Sequence, residues 1–150
     1  MPTPSPPTTA TVVACPACGK RNRIAAAAKG SPRCAACHEP LPWLVEADDE
    51  DFDLAISGPL PVLLDLWAPW CGPCRAVAPI VEELSRSLAG RLKVVKVDVD
   101  RAPRTAQRLG VQGVPTMLIL QDGQVAARQV GALPGPALRN WVAQNLSRQP

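Results

Sequence analysis

Pro61-Val62-Leu63-Leu64-Asp65-Leu66-Trp67-Ala68-Pro69-Trp70-Cys71-Gly72-Pro73-Cys74-Arg75 is the stretch that decides the fold. Its first half, Val62 to Trp67, is an almost continuous apolar run, as a strand buried on both faces requires. An amphipathic run follows it, with Val77, Ile80, Val81, Leu84 and Leu88 at helical spacing. Two cysteines with a two-residue spacer therefore sit where a strand gives way to a helix, the setting of a dithiol redox pair rather than half a metal site. Cys71 falls at or just before the first helical turn, where unpaired backbone N–H groups stabilise a thiolate. Cys74 lies one turn later on the same face, within reach of a mixed disulfide formed on Cys71. Pro73 suits the first turn because its missing N–H would have no helical partner.

Working outward, Leu92 to Asp98 reads as a second strand, parallel to the first through the helical crossover. Arg101 to Leu109 makes a short helix ending at Gly110, and Pro79 is expected to kink the long one. Met117 to Leu120 is a third strand, Asp122-Gly123 a hairpin turn, and Gln124 to Val130 the antiparallel return. Leu138, Trp141, Val142 and Leu146 form the stripe of a last helix. Ahead of the first strand, Asp48-Asp49-Glu50-Asp51 is a solvated first turn leading into Phe52, Leu54, Ala55 and Ile56. This order gives an α/β fold with a central mixed sheet flanked by helices.

Upstream, Cys15-Pro16-Ala17-Cys18 and Cys34-Ala35-Ala36-Cys37 repeat the two-residue spacer, with fifteen residues between the pairs. That spacing fits a zinc site closed by four thiolates; two disulfides are the alternative. The segment's apolar residues are mostly alanines plus Val12, Val13, Ile24 and Leu41, too few for a core of its own. Metal binding would then supply its folding energy, and a truncation beginning near Trp43 is expected to stay folded and active. His38 could be a substitute ligand, but four cysteines already suffice and adjacent side chains rarely both reach one metal, so it reads as a surface residue or as a donor to a sulfur. Gly19 and Gly30 supply tight turns. The expected organisation is a disordered tail over 1–11, a zinc-binding module over 12–42 and a redox domain over 45–150.

The run Asp65 to Cys74 closely resembles the active-site segment of thioredoxin, and the resemblance covers about residues 45–147. With the cysteine-rich module in front, the chain is similar to the zinc-containing second thioredoxin type of bacteria. The resemblance implies a thioredoxin fold and a protein-disulfide reductase whose Cys71–Cys74 pair cycles between dithiol and disulfide. It implies that Asp65 lies beneath the cysteines as a buried proton acceptor rather than at a polar edge, and that Lys96 pairs with it. It makes Val114-Pro115-Thr116 a cis-proline loop, with Trp70, Gly72, Pro73, Val114 and Gly131 meeting the substrate. Leu66 and Leu120 stand where the family often has Phe, which alters packing and not chemistry. One structural Zn2+ per chain is implied at Cys15, Cys18, Cys34 and Cys37.

Composition limits the rival classes. Net charge is +3, but residues 1–42 hold five Lys/Arg against one Glu, and residues 43–150 eleven against twelve. The basic module suggests a second reading, a zinc-ribbon binding or holdase module with the redox domain used for docking. Residues 12–42 contain no aromatic residue for base stacking, which argues against nucleic acid. The start lacks a basic n-region and an apolar h-region, and no apolar run approaches a bilayer span. The expectation is a monomer in the cytoplasm, with no membrane partner, that meets oxidised client proteins and a thioredoxin-reductase-like electron donor.

Overall fold

A computed structural model describes residues 10–25 and 30–147. Two antiparallel strands, β1 (Ala10–Ala14) and β2 (Arg21–Ala25), form a small sheet of their own. The strand begins at Ala10, ahead of the boundary expected at residue 12; the rest of the expected tail lies outside the described residues.

The main sheet has five strands in the order β3-β5-β4-β6-β7. They are β3 (Leu44–Ala47), β4 (Val62–Trp67), β5 (Lys93–Asp98), β6 (Thr116–Gln121) and β7 (Gln124–Val130). β5 runs parallel to both β3 and β4, while β6 is antiparallel to β4 and to β7. The parallel β4–β5 pair and the returning hairpin are where the sequence puts them. β3 is an addition: the chain after Pro42 pairs with the β5 edge instead of running straight to the acidic cluster.

Alternation along the strands sorts the core into two faces. Val62, Leu64, Leu66, Val95, Val97, Leu118 and Leu120 pack with Phe52 and Ala55 of α1 (Phe52–Ala55). The intervening positions Leu63, Val94, Met117 and Ile119 pack on the other face. There they meet Val77, Val81 and Leu84 of α2 (Gly72–Ser87) and Leu138 and Val142 of α4 (Gly135–Ser147). α2 continues through Pro79. α3 (Pro103–Arg108) lacks a cap from its own N-cap residue, Ala102. Asp49 supplies it from across the fold, accepting from the Thr105 N–H and hydroxyl at 2.8 Å each and from the Arg104 N–H at 3.2 Å. The acidic cluster is therefore not merely a solvated turn.

The N-terminal module does not stand apart. Ile24, Cys34 and Leu41 belong to the same buried cluster as Trp43, Val45, Phe52 and Val95. Leu41 and Trp43 are both almost completely buried. The Trp43 carbonyl accepts from the Val94 N–H at 2.8 Å, and the Lys93 ammonium lies 4.1 Å from the centroid of the Trp43 ring. The few apolar residues of the module thus complete a core that the larger domain begins.

Candidate active site and metal centre

Cys71 is the N-cap of α2, with Gly72 and Pro73 opening the helix behind it. Its Sγ accepts from the Cys74 N–H at 3.1 Å, so one of the otherwise unpaired donors of the first turn points at the sulfur. Cys71 and Cys74 are joined by a disulfide with Cα atoms 5.3 Å apart, and both are buried. The Val114–Pro115 peptide is cis, and the Val114 carbonyl oxygen lies 3.7 Å from Cys71 Sγ. The Gly131 N–H donates to the Pro115 carbonyl at 2.8 Å, which brings Gly131 to the same loop. A Cβ on Gly72 or Gly131 would meet nothing within 4 Å, so the backbone at both positions borders open space. Trp70 is largely exposed, and its indole N–H donates to Asp100 at 2.9 Å. Asp100 was not among the residues the sequence singled out; its signal is only its place just past β5.

Asp65 sits in the middle of β4 and is 1% exposed. Its Oδ1 has no hydrogen-bond partner among the described residues. Burial pushes its carboxyl up from 3.8 to about 6, against the pull of the Lys96 charge. Asp65 and Lys96 are register partners across β4 and β5, so their side chains leave the same face of the sheet. The expected ion pair between them is not closed: among the described residues no approach within 4 Å joins them. The Lys96 ammonium instead lies 5.1 Å from the centroid of the Trp67 ring.

The module builds a second sulfur cluster. Each Cys-x-x-Cys ends in a knuckle of the same form. The Gly19 N–H returns to the Cys15 carbonyl at 2.8 Å, and the His38 N–H returns to the Cys34 carbonyl at 2.9 Å. Gly19 has φ +80° and His38 has φ +67°. His38 therefore holds in the second knuckle the turn position that Gly19 holds in the first. The four sulfurs of Cys15, Cys18, Cys34 and Cys37 lie within 4.8 Å of one another, with Cys15–Cys37 at 3.5 Å and Cys18–Cys34 at 3.6 Å. A tetrahedral zinc with Zn–S of about 2.3 Å asks for sulfurs about 3.8 Å apart. The cluster fits such an ion. The Cys37 N–H and the Ala36 N–H help lower the Cys34 thiol to about 6, whereas Cys37, despite the Glu39 N–H, is pushed up to about 12 by burial and the neighbouring sulfurs.

Asn22 ties the two knuckles together and is a residue the sequence reading missed. Its Nδ2 donates to the Lys20 carbonyl at 2.9 Å and to Cys34 Sγ at 3.5 Å, and its Oδ1 accepts from the Ala35 N–H at 2.9 Å. The available signal was its place beside Ile24 on the inward face of β2.

Comparison with known proteins agrees with this geometry. The Thioredoxin family model matches residues 43–144. Thioredoxin of Haemophilus influenzae is 43% identical over 104 residues, which is 69% of this chain and 97% of that protein. Thioredoxin of Bacillus subtilis is 45% identical over 103 residues, 69% of this chain and 98% of its own length. Thioredoxin of Rhodospirillum rubrum is 46% identical over 97 residues, covering 65% and 91%. The four-cysteine cluster ahead of the matched region fits the zinc-containing type. With its redox-active cysteine pair, a thiol-disulfide oxidoreductase centre, the chain belongs to the thioredoxin family.

Proposed function

We propose that this protein is a protein-disulfide reductase that turns over through Cys71 and Cys74 and carries one structural Zn2+ on Cys15, Cys18, Cys34 and Cys37. The observation that carries the reading is the Cys71 sulfur at the N-terminus of α2, beneath the Cys74 N–H and beside the open Val114–Pro115 loop. In the reduced protein the Cys71 thiolate attacks one sulfur of a client disulfide. A Cys71–client bond forms, the client S–S bond breaks, and the leaving sulfur takes up a proton. Cys74 then gives its proton toward Asp65 and attacks Cys71 Sγ. The mixed disulfide breaks, the second client thiol leaves, and the Cys71–Cys74 disulfide remains. The client gains two electrons and the protein loses two, so an external reductase of the thioredoxin-reductase class must restore the dithiol. A carboxyl near 6 suits Asp65 to accept a proton at neutral pH.

Client backbone would be met by Val114 and Gly131, with Trp70, Gly72 and Pro73 forming the rest of the contact surface. Four thiolates close the zinc coordination, so the metal would stabilise the module without an open position for substrate. No described helix is long and apolar enough to cross a membrane; action as a monomer in the cytoplasm, on oxidised client proteins, is the setting this reading adopts. An insulin-reduction assay tests it. Cys71→Ser should abolish reduction, and Cys74→Ser should accumulate client mixed disulfides through Cys71. A Cys71→Ser variant that still reduces insulin would overturn the reading. Bound zinc well below one per chain, in protein purified with reductant, would overturn the metal assignment.

A further inference from the structure

Glu46, Lys96 and Asp65 stand in one row across three neighbouring strands. Lys96 is the register partner of Asp65 on β4 and of Glu46 on β3. Because register partners on adjacent strands point the same way, all three side chains leave the sheet on the face that carries α2. The row runs from the buried interior to solvent: Asp65 is buried, Lys96 half-buried and Glu46 exposed. Beside it opens a cavity of about 630 Å³ whose wall includes Glu46, Lys96 and Trp67. Lys96 thus has a carboxylate on each side, closes on neither within 4 Å, and leans over Trp67.

We propose that Glu46 is a positioning residue: it draws the Lys96 ammonium toward the mouth of the cavity and so weakens its hold on the Asp65 carboxylate. The consequence is chemical. A lysine closed on Asp65 would keep it ionised and make it a poor acceptor for the Cys74 proton. A lysine held outward leaves burial in command and keeps the acceptor matched to neutral pH.

The surroundings of Asp65 make the effect separable. β6 places Met117 opposite it, and Cys71 and Cys74 do not titrate while they are joined. Lys96 is the one charged side chain that acts on Asp65 among the described residues. The remaining charges near Lys96 lie on the cavity wall: Asp98 and Arg101 after β5, and Asp48 and Asp51 after β3.

The inference rests on Asp65 being the proton acceptor, and its test does not use activity. The midpoint of the Asp65 carboxyl would be followed by 13C NMR in the oxidised, zinc-loaded full chain. Glu46→Gln should lower the midpoint by about half a unit, since Lys96 is then free to turn inward. Lys96→Gln should raise it. Glu46→Gln placed in the Lys96→Gln background should move it by less than a third as much as in the wild type. Glu46→Asp, which keeps the charge, should restore most of the wild-type midpoint. An unchanged or raised midpoint in Glu46→Gln overturns the proposal. So does an equal shift in both backgrounds, which would mean that Glu46 acts directly and not through Lys96. Persistent reduction by Cys71→Ser would end the reductase reading instead, without altering any of these midpoints.

Discussion

In the N-terminal module each Cys-x-x-Cys is followed by a residue with positive φ, Gly19 or His38, whereas Cys71-x-x-Cys74 runs directly into the rest of α2. In the first case the chain doubles back, and two pairs of sulfurs converge on one point. In the second the helix continues, and the first cysteine is left as a cap under a backbone N–H and beside the Val114 carbonyl. In this chain the residue that follows the second cysteine therefore sets the knuckles of the four-cysteine cluster apart from the redox pair. Buried polar groups differ as well. Asn22, between the knuckles, is bonded through both its amide N and O, as a structural polar group should be. Asp65, in the middle of β4, keeps a buried oxygen without a partner among the described residues, which costs stability.

The largest test of the comparison is to remove one of its halves. A chain beginning at Trp43 retains the five-stranded sheet, both cysteines of the redox pair and the whole α2/α4 face. It loses Ile24, Cys34 and Leu41 from a cluster shared with Trp43, Val45 and Phe52. Exposing two or three apolar side chains at about 1.5–3 kcal/mol each should lower stability by about 4 kcal/mol. The truncated protein should fold and reduce disulfides, but unfold at distinctly lower urea. An unchanged urea midpoint would mean that the module is a passenger and that the shared core contributes nothing.

The next effect belongs to Asp65. Its carboxyl is raised from 3.8 to about 6 in the folded chain. The native state therefore holds this proton more tightly than the unfolded state does. The sign follows: stability from this group is fully present below about 4 and is lost as pH rises through 6. A difference of about 2 units corresponds to about 3 kcal/mol lost by neutral pH. Asp65→Asn should then be more stable than wild type at pH 8 by up to that amount, and nearly equal to it at pH 4. Its disulfide reduction should also slow at neutral pH. Urea unfolding of the oxidised proteins at the two pH values measures the first claim, and equal gains at both would show that the benefit is packing and not charge.

Much of this was legible in the sequence because it was local. Spacing sorted the six cysteines into one pair and one group of four, and an almost continuous apolar run marked β4. What was missed needs partners distant in the chain. Leu44 to Ala47 is too short and mixed to read as a strand, and becomes one only because β5 offers a free edge. Asp49 caps a helix that begins at Pro103, and nothing within the run Asp48-Asp49-Glu50-Asp51 announces it. The sparse apolar content of the module was read as a reason for it to depend on a metal, independently of the larger domain. That the neighbouring domain shares its core with the module could be seen only when Leu41 and Trp43 were placed in one cluster.

The smallest test returns to the knuckles. Gly19 and His38 occupy equivalent turns, at φ +80° and +67°, yet one is glycine and the other is not. A residue with a Cβ in the left-handed region costs roughly 1 kcal/mol relative to glycine, because the Cβ crowds the following carbonyl. If the imidazole of His38 has no part in holding the metal, His38→Gly removes that strain and loses nothing essential. His38 is exposed, and its N–H bond to the Cys34 carbonyl is a backbone bond that glycine keeps. The variant should bind zinc with unchanged stoichiometry and resist chelator slightly longer than wild type. Gly19→Ala should do the opposite by a similar amount, since a Cβ there meets no neighbour within 4 Å and only the backbone objects. Zinc release followed with a chromogenic chelator compares the three proteins. Faster release from His38→Gly would show that the imidazole supports the cluster, and the symmetry drawn between the two knuckles would fail.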